Sequence, residues 1–219
     1  MNQILTKMME CFFPPRCVFC DCVLPSGQII CKHCSETVFE SFWQENFLIQ
    51  AKYLFPCTAL YDYTKEVRSA LIRFKFQDET ILKEYFGKKL AERIGEISFQ
   101  PDFITAVPIS KKRKRQRGYN QSELLARELS KNLEVPYREL LSKVRDNVPQ
   151  HELSEEDRLE NVKDVYCTRN DEEILEKRIL LVDDILTTGA TMCSAGQALF
   201  CAGAKDVFGI AVATTPVSR

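Results

Sequence analysis

One stretch limits what this chain can fold into more than any other: Leu181-Val182-Asp183-Asp184-Ile185-Leu186-Thr187-Thr188-Gly189-Ala190-Thr191. The apolar run Ile179-Leu180-Leu181-Val182 has the length and content of a buried parallel strand. Two carboxylates follow at its C-terminal end, where open α/β sheets bind ligands. The next residues are small and hydroxylic and open a helix. Backbone N–H groups at a helix start are unpaired and carry partial positive charge, so they can receive a phosphate. Gly189 lets the backbone approach an anion closely, and the threonine hydroxyls add donors. Adjacent carboxylates suit the vicinal hydroxyls of a sugar. The plainer alternative is a strand–turn–helix with two surface aspartates. A nucleotide hydrolase would also need a GxxxxGK[ST] loop, which none of the eight glycines supplies.

The surrounding chain agrees with that strand. Strand signals recur at Cys57–Tyr61, Phe103–Val107 and Val207–Ala213. Helical spacing appears in Val67, Leu71, Ile72 and Phe74, again in Leu82, Tyr85, Phe86 and Leu90, and in Gln121–Leu133 and Thr191–Ala202. Strands alternating with helices predict an α/β fold, a mostly parallel sheet flanked by helices. Ser142 to Thr168 is poorly periodic and reads as a hood or a surface excursion. Phe42, Trp43, Phe47 and Leu48 fit a bridging helix, and Ile4, Leu5, Met8 and Phe12 a short amphipathic helix.

The N-terminal part differs in texture. Six of the ten cysteines lie within residues 11–34. The start of the chain lacks a basic segment and a small-residue cleavage site, so no export signal is read, and no apolar run is long enough to span a membrane. Cytoplasmic residence without membrane insertion is the expectation, and a disulfide framework is not. Cys17-x2-Cys20 and Cys31-x2-Cys34 form two pairs suited to a closed tetrahedral zinc site, a structural ribbon or knuckle. Cys11, Cys22 and His33 are spare candidates. A redox CxxC and cysteines lying in the core are the competing readings. The expected division is an N-terminal helix and four-cysteine zinc-binding domain over 1–50 and a larger α/β domain over 51–219.

Charge is uneven although the net charge is −1. Lys111, Lys112, Arg113, Lys114, Arg115 and Arg117 fill six of seven positions, and Tyr119 follows. Such a run is most often a solvated loop. Together with an aromatic it is also the footprint of single-stranded nucleic-acid binding.

The run from Ile179 to Met192 resembles the phosphoribosyl-pyrophosphate (PRPP) signature of type I phosphoribosyltransferases almost residue for residue. That resemblance implies that Asp183 and Asp184 hold the ribose 2′- and 3′-hydroxyls and help stabilise charge developing on the sugar. It implies that Thr187, Thr188, Gly189, Ala190 and Thr191 wrap the 5′-phosphate, with magnesium accompanying PRPP. In that fold a loop after an earlier strand holds the pyrophosphate, which points to Pro108, Ser110 and Lys111. A zinc knuckle first and a PRPP loop last is similar to the layout of the ComF competence-protein family, which is associated with DNA uptake. Tyr61-Asp62-Tyr63, Arg68, Lys75, Arg117-Gly118-Tyr119-Asn120-Gln121, Gln150, Arg158 and Asn161 fall at similar positions. The resemblance implies PRPP as ligand, and single-stranded DNA or competence-pathway proteins as partners. It does not name an acceptor nucleophile.

Overall fold

The computed structural model describes residues 14–41, 43–49, 52–76, 80–144 and 165–215. The amphipathic segment at the N-terminus, Phe42, and Gln150, Arg158 and Asn161 lie outside them. The elements in chain order begin with α1 (Lys32–Thr37), β1 (Gln44–Ile49), β2 (Tyr53–Asp62), α2 (Lys65–Phe76), α3 (Thr80–Glu96), β3 (Phe103–Ala106), α4 (Lys111–Arg117) and α5 (Gln121–Leu133). They continue with β4 (Leu141–Lys143), β5 (Tyr166–Thr168), α6 (Asp171–Ile174), β6 (Arg178–Leu186), α7 (Ala190–Cys201) and β7 (Asp206–Thr214).

Five strands form one sheet in the order β1-β2-β7-β6-β3. β2, β7, β6 and β3 are parallel, and only the edge strand β1 runs antiparallel. The alternation of side chains along β6 sorts residues between two cores. Leu180 and Val182 join α2, α3 and α5 on one face, while Ile179 and Leu181 join α7 on the other. Both faces are covered, which is why the central strands read as continuous apolar runs.

Two features depart from the sequence expectation. Trp43, Phe47 and Leu48 do not build a bridging helix, because the chain pairs as an antiparallel hairpin, Ile49 opposite Tyr53 and Gln44 opposite Thr58. Ladder hydrogen bonds to β2 outweigh a weak helical spacing. The basic run is not a loop but the helix α4. Ser110 caps it by accepting the Arg113 N–H at 3.3 Å, and Gly118 ends it in the left-handed region at φ 81°. Leu141–Lys143 and Tyr166–Thr168 pair as a two-stranded ribbon at the ends of the poorly periodic stretch.

The cysteine-rich segment shares the core of the larger part. Phe19 is buried and meets Tyr61, Tyr85 and Phe86 edge to face at centroid distances of 5.4, 5.8 and 6.4 Å. Burying such a ring contributes about 1.5–3 kcal/mol. Packing therefore supplements whatever a metal contributes to the knuckle.

Candidate functional site

β6 runs straight through the two carboxylates and ends at Leu186, so Asp183 and Asp184 are strand residues at its C-terminal end. Pleating turns them apart. Asp183 is buried, and its Oδ1 accepts from Ser122 Oγ and from the Asp184 N–H, both at 2.8 Å. Burial above all, and then the charge of Asp184, raises the Asp183 carboxyl from 3.8 to about 7. Asp184 meets Lys75 Nζ at 2.7 Å.

Ser122 reaches Asp183 because Asn120 anchors the start of α5. The Asn120 side chain caps that helix by accepting the Ser122 N–H at 3.2 Å. Its amide donates to the Val107 carbonyl at 3.0 Å, just beyond β3. The Val107 N–H in turn donates to the Val182 carbonyl at 2.9 Å. The start of α5 is thereby tied to the two strands that carry the site.

These groups open onto a cavity of about 540 Å³ at the C-terminal ends of the parallel strands. Lys75, Lys112, Arg113, Arg117 and Lys143 put five basic side chains around Asp183 and Asp184. Pro108, Ile109 and Ser110 form one wall, Tyr166 and Lys143 of the ribbon another, and Thr191 marks the start of α7. Ser110 therefore lines the cavity while capping α4. Lys111 does not line this cavity but borders two smaller pockets, one of them shared with Lys112, Ser142 and Lys143. Lys114 is held by Glu123 at 3.1 Å, and Arg115 does not line the cavity. The Tyr119 hydroxyl donates to the Phe74 carbonyl at 2.8 Å, so its polar tip is committed to the backbone.

The hydroxylic turn lies beside the cavity. Thr187 and Thr188 are exposed, and Thr188 Oγ1 accepts the Ala190 N–H at 3.4 Å. Gly189 takes φ 75°, and a Cβ there would stand 2.5 Å from Phe47 Cζ. The ring of edge strand β1 thus rests on the glycine that starts α7.

Sequence reading missed Ser122, Lys143, Tyr166 and Phe47 as contributors. Ser122 carries a local signal, as a serine behind the Asn120 cap. Lys143 and Tyr166 are brought in by strand pairing across a long excursion, which leaves no local signature.

The knuckle gathers sulfur. The Sγ atoms of Cys17, Cys20, Cys22 and Cys31 lie within 4.8 Å of one another, and those of Cys20 and Cys31 are 3.6 Å apart. A tetrahedral site with ligand bonds of ~2.3 Å needs sulfurs about 3.8 Å apart, so the cluster fits a metal ion. The Cys31 N–H points at Cys17 Sγ (3.4 Å) and the Cys34 N–H at Cys31 Sγ (3.3 Å). That second contact is the main cause holding the Cys31 thiol down to about 6, favouring the thiolate a metal requires. Cys34 is buried beside Cys17, Cys20 and Cys31; burial first, then those sulfurs, push its thiol up. Five sulfurs thus converge where a tetrahedral ion takes four, and Cys22 and Cys34 compete for the last position. His33 is exposed.

The phosphoribosyl transferase domain family matches residues 119–218. Competence protein F of Haemophilus influenzae is 29% identical over 201 residues, 88% of this chain and 82% of that protein. Competence protein ComFC of Streptococcus pneumoniae is 30% identical over 149 residues, 68% of this chain and 64% of that one. The chain is similar to the ComF-type competence proteins over most of its length. Its larger part has the type I phosphoribosyltransferase-like fold, a mostly parallel sheet flanked by helices. DNA utilization protein YhgH of Salmonella typhimurium is 31% identical over 143 residues, 65% of this chain and 58% of that protein. The chain thus spans less than two thirds of the ComFC and YhgH relatives it matches. No helix among the described residues is long and apolar enough to cross a membrane.

Proposed function

We propose that this ComF-like chain binds PRPP with magnesium and acts in DNA uptake. The observation that carries the reading is the cavity itself. Five cations surround two carboxylates at the C-terminal strand ends of a parallel sheet. A ligand with a diol and several phosphates matches that pattern, since the carboxylates accept from hydroxyls and the cations meet the phosphoryl oxygens. Asp183 and Asp184 take the ribose hydroxyls, and the turn from Thr187 to Thr191 takes the 5′-phosphate. The wall at Pro108 and Ser110 takes the pyrophosphate, with Lys112 and Arg113 as the nearer cations and Lys111 further out. Magnesium, when bound with the ligand, would offset part of the pyrophosphate charge.

As a transferase the protein would join an acceptor nucleophile to C1 of the ribose while the C1–O bond breaks and pyrophosphate leaves with the electron pair. Asp183 and Asp184 would stabilise positive charge developing on the sugar. The knuckle binds zinc as a structural ion and offers no open position for catalysis.

Names of relatives that refer to competence and DNA utilization support the pathway. A second role for α4 is single-stranded DNA binding, favoured by the pocket that Lys111 and Lys112 share with Lys143. Calorimetry with Mg-PRPP tests the first reading. Wild type binds, and Asp183→Asn combined with Asp184→Asn weakens binding while the fold survives; equal affinities remove the claim. Replacing Lys111, Lys112, Arg115 and Lys143 with alanine flattens the salt dependence of DNA affinity, at about 0.7 in log–log slope per lost phosphate contact. An unchanged slope removes the DNA role.

A further inference from the structure

Three consecutive residues in the last turn of α2 each reach a different part of the molecule. Arg73, 9% exposed, enters the cysteine knuckle. It donates to the carbonyls of Cys17 (3.3 Å), Val18 and Phe19 (3.5 Å) and to the Asp21 carboxylate (3.1 Å). Phe74 gives its carbonyl to the Tyr119 hydroxyl at 2.8 Å. The Lys75 carbonyl accepts from Gln121 Nε2 at 3.4 Å, and Lys75 Nζ reaches Asp184 at 2.7 Å. The last carbonyls of a helix have no partner inside it, so outside donors can take them. A planar guanidinium has enough donors to span several carbonyls and a carboxylate at once.

We propose that the cysteine knuckle is a positioning element for the ligand site. By gripping Arg73 it sets the last turn of α2. That turn fixes the Lys75 ammonium that orients Asp184, and it fixes Tyr119 and Gln121, which lead directly into Ser122 and Asp183. A knuckle that only stabilised the fold has no need of this route, since Phe19 already docks it in the core. Loss of its metal or of Arg73 then loosens both carboxylates without unfolding the sheet. Only the affinity arm of the test rests on the PRPP reading.

The test is a double-substitution cycle read by calorimetry with Mg-PRPP. Arg73→Lys keeps the charge but cannot span the carbonyls, and raises Kd about fivefold or more, the lower end of couplings between distinct sites. In a Lys75→Gln background the same substitution costs less than in wild type, since only the route through Tyr119 and Gln121 remains, whereas a merely structural role costs the same in both backgrounds. Should Arg73→Lys fail to fold, Asp21→Asn replaces it, because asparagine tolerates the left-handed φ of 63° found there. Hydrogen–deuterium exchange needs no ligand: amides of residues 119–122 exchange faster in Arg73→Lys and after chelation of the knuckle metal. Additive losses in affinity, or unchanged exchange in both cases, overturn the proposal. Should wild type bind no PRPP, the ligand reading falls and exchange alone decides the coupling.

Discussion

Replacing Asp183 with asparagine is expected to stabilise the ligand-free protein at alkaline pH. Asp183 is 8% exposed as a residue, and burial together with Asp184 raises its carboxyl from 3.8 to about 7. A group whose folded pKa is raised gives its full stability below the unfolded value, near pH 4, and loses it as pH rises through 7. Above pH 8 the folded state holds a buried carboxylate that the unfolded chain would hydrate. At 1.36 kcal/mol per pH unit the ceiling is about 4 kcal/mol. Water in the cavity screens part of this, so about 2 kcal/mol is expected, or roughly 4–8 °C in melting temperature for a chain of this size. Asparagine preserves the shape, and its Oδ1 can accept both from Ser122 Oγ and from the Asp184 N–H. The assay is thermal unfolding followed by circular dichroism at pH 8.5 and pH 4 without ligand. The variant gains at pH 8.5 and the difference vanishes at pH 4. A melting temperature at or below wild type at pH 8.5 would refute the reasoning and mean that local hydrogen bonds outweigh desolvation. A gain in stability with a loss of ligand affinity is the pattern expected of a site held under strain for function.

Metal analysis should find one zinc per chain, lost in Cys17→Ser and in Cys31→Ser. Comparing Cys22→Ser with Cys34→Ser identifies the fourth sulfur, and full occupancy in the first two variants contradicts the site. Gly189→Ala should cost about 1–2 kcal/mol, because a left-handed residue gains a Cβ that would meet Phe47 Cζ at 2.5 Å. Adding Phe47→Leu should recover part of that loss by opening space. An unchanged melting temperature in Gly189→Ala alone speaks against the Phe47 contact.

Much of the fold was legible because it rests on local pattern. The expected Gln121–Leu133 helix coincides with α5, and Cys57–Tyr61 lies within β2. Trp43, Phe47 and Leu48 were misread because a helical spacing over a few residues cannot reveal a hairpin partner. Leu48 and Leu54 stand opposite each other and both stay exposed, so burial left no alternation to read. The basic run was read as solvated loop because its charge hid the cap at Ser110 and the stop at Gly118.

By itself the chain determined the kinds of chemistry available: a strand ending in two carboxylates, a hydroxylic turn around Gly189, and paired cysteines. Those depend on residue type and short spacing, which local stereochemistry enforces. Only the tertiary structure decided which groups meet. Pleating along β6 buried Asp183 against Ser122 and turned Asp184 toward Lys75. The last turn of α2 joined the knuckle to the cavity through Arg73 and Lys75, residues far in sequence from the groups they hold. The pairing of β4 with β5 carried Lys143 and Tyr166 to the cavity wall. Such contacts are chosen by packing across two cores and by the need to satisfy buried polar atoms, and neither condition is visible along a single stretch of chain.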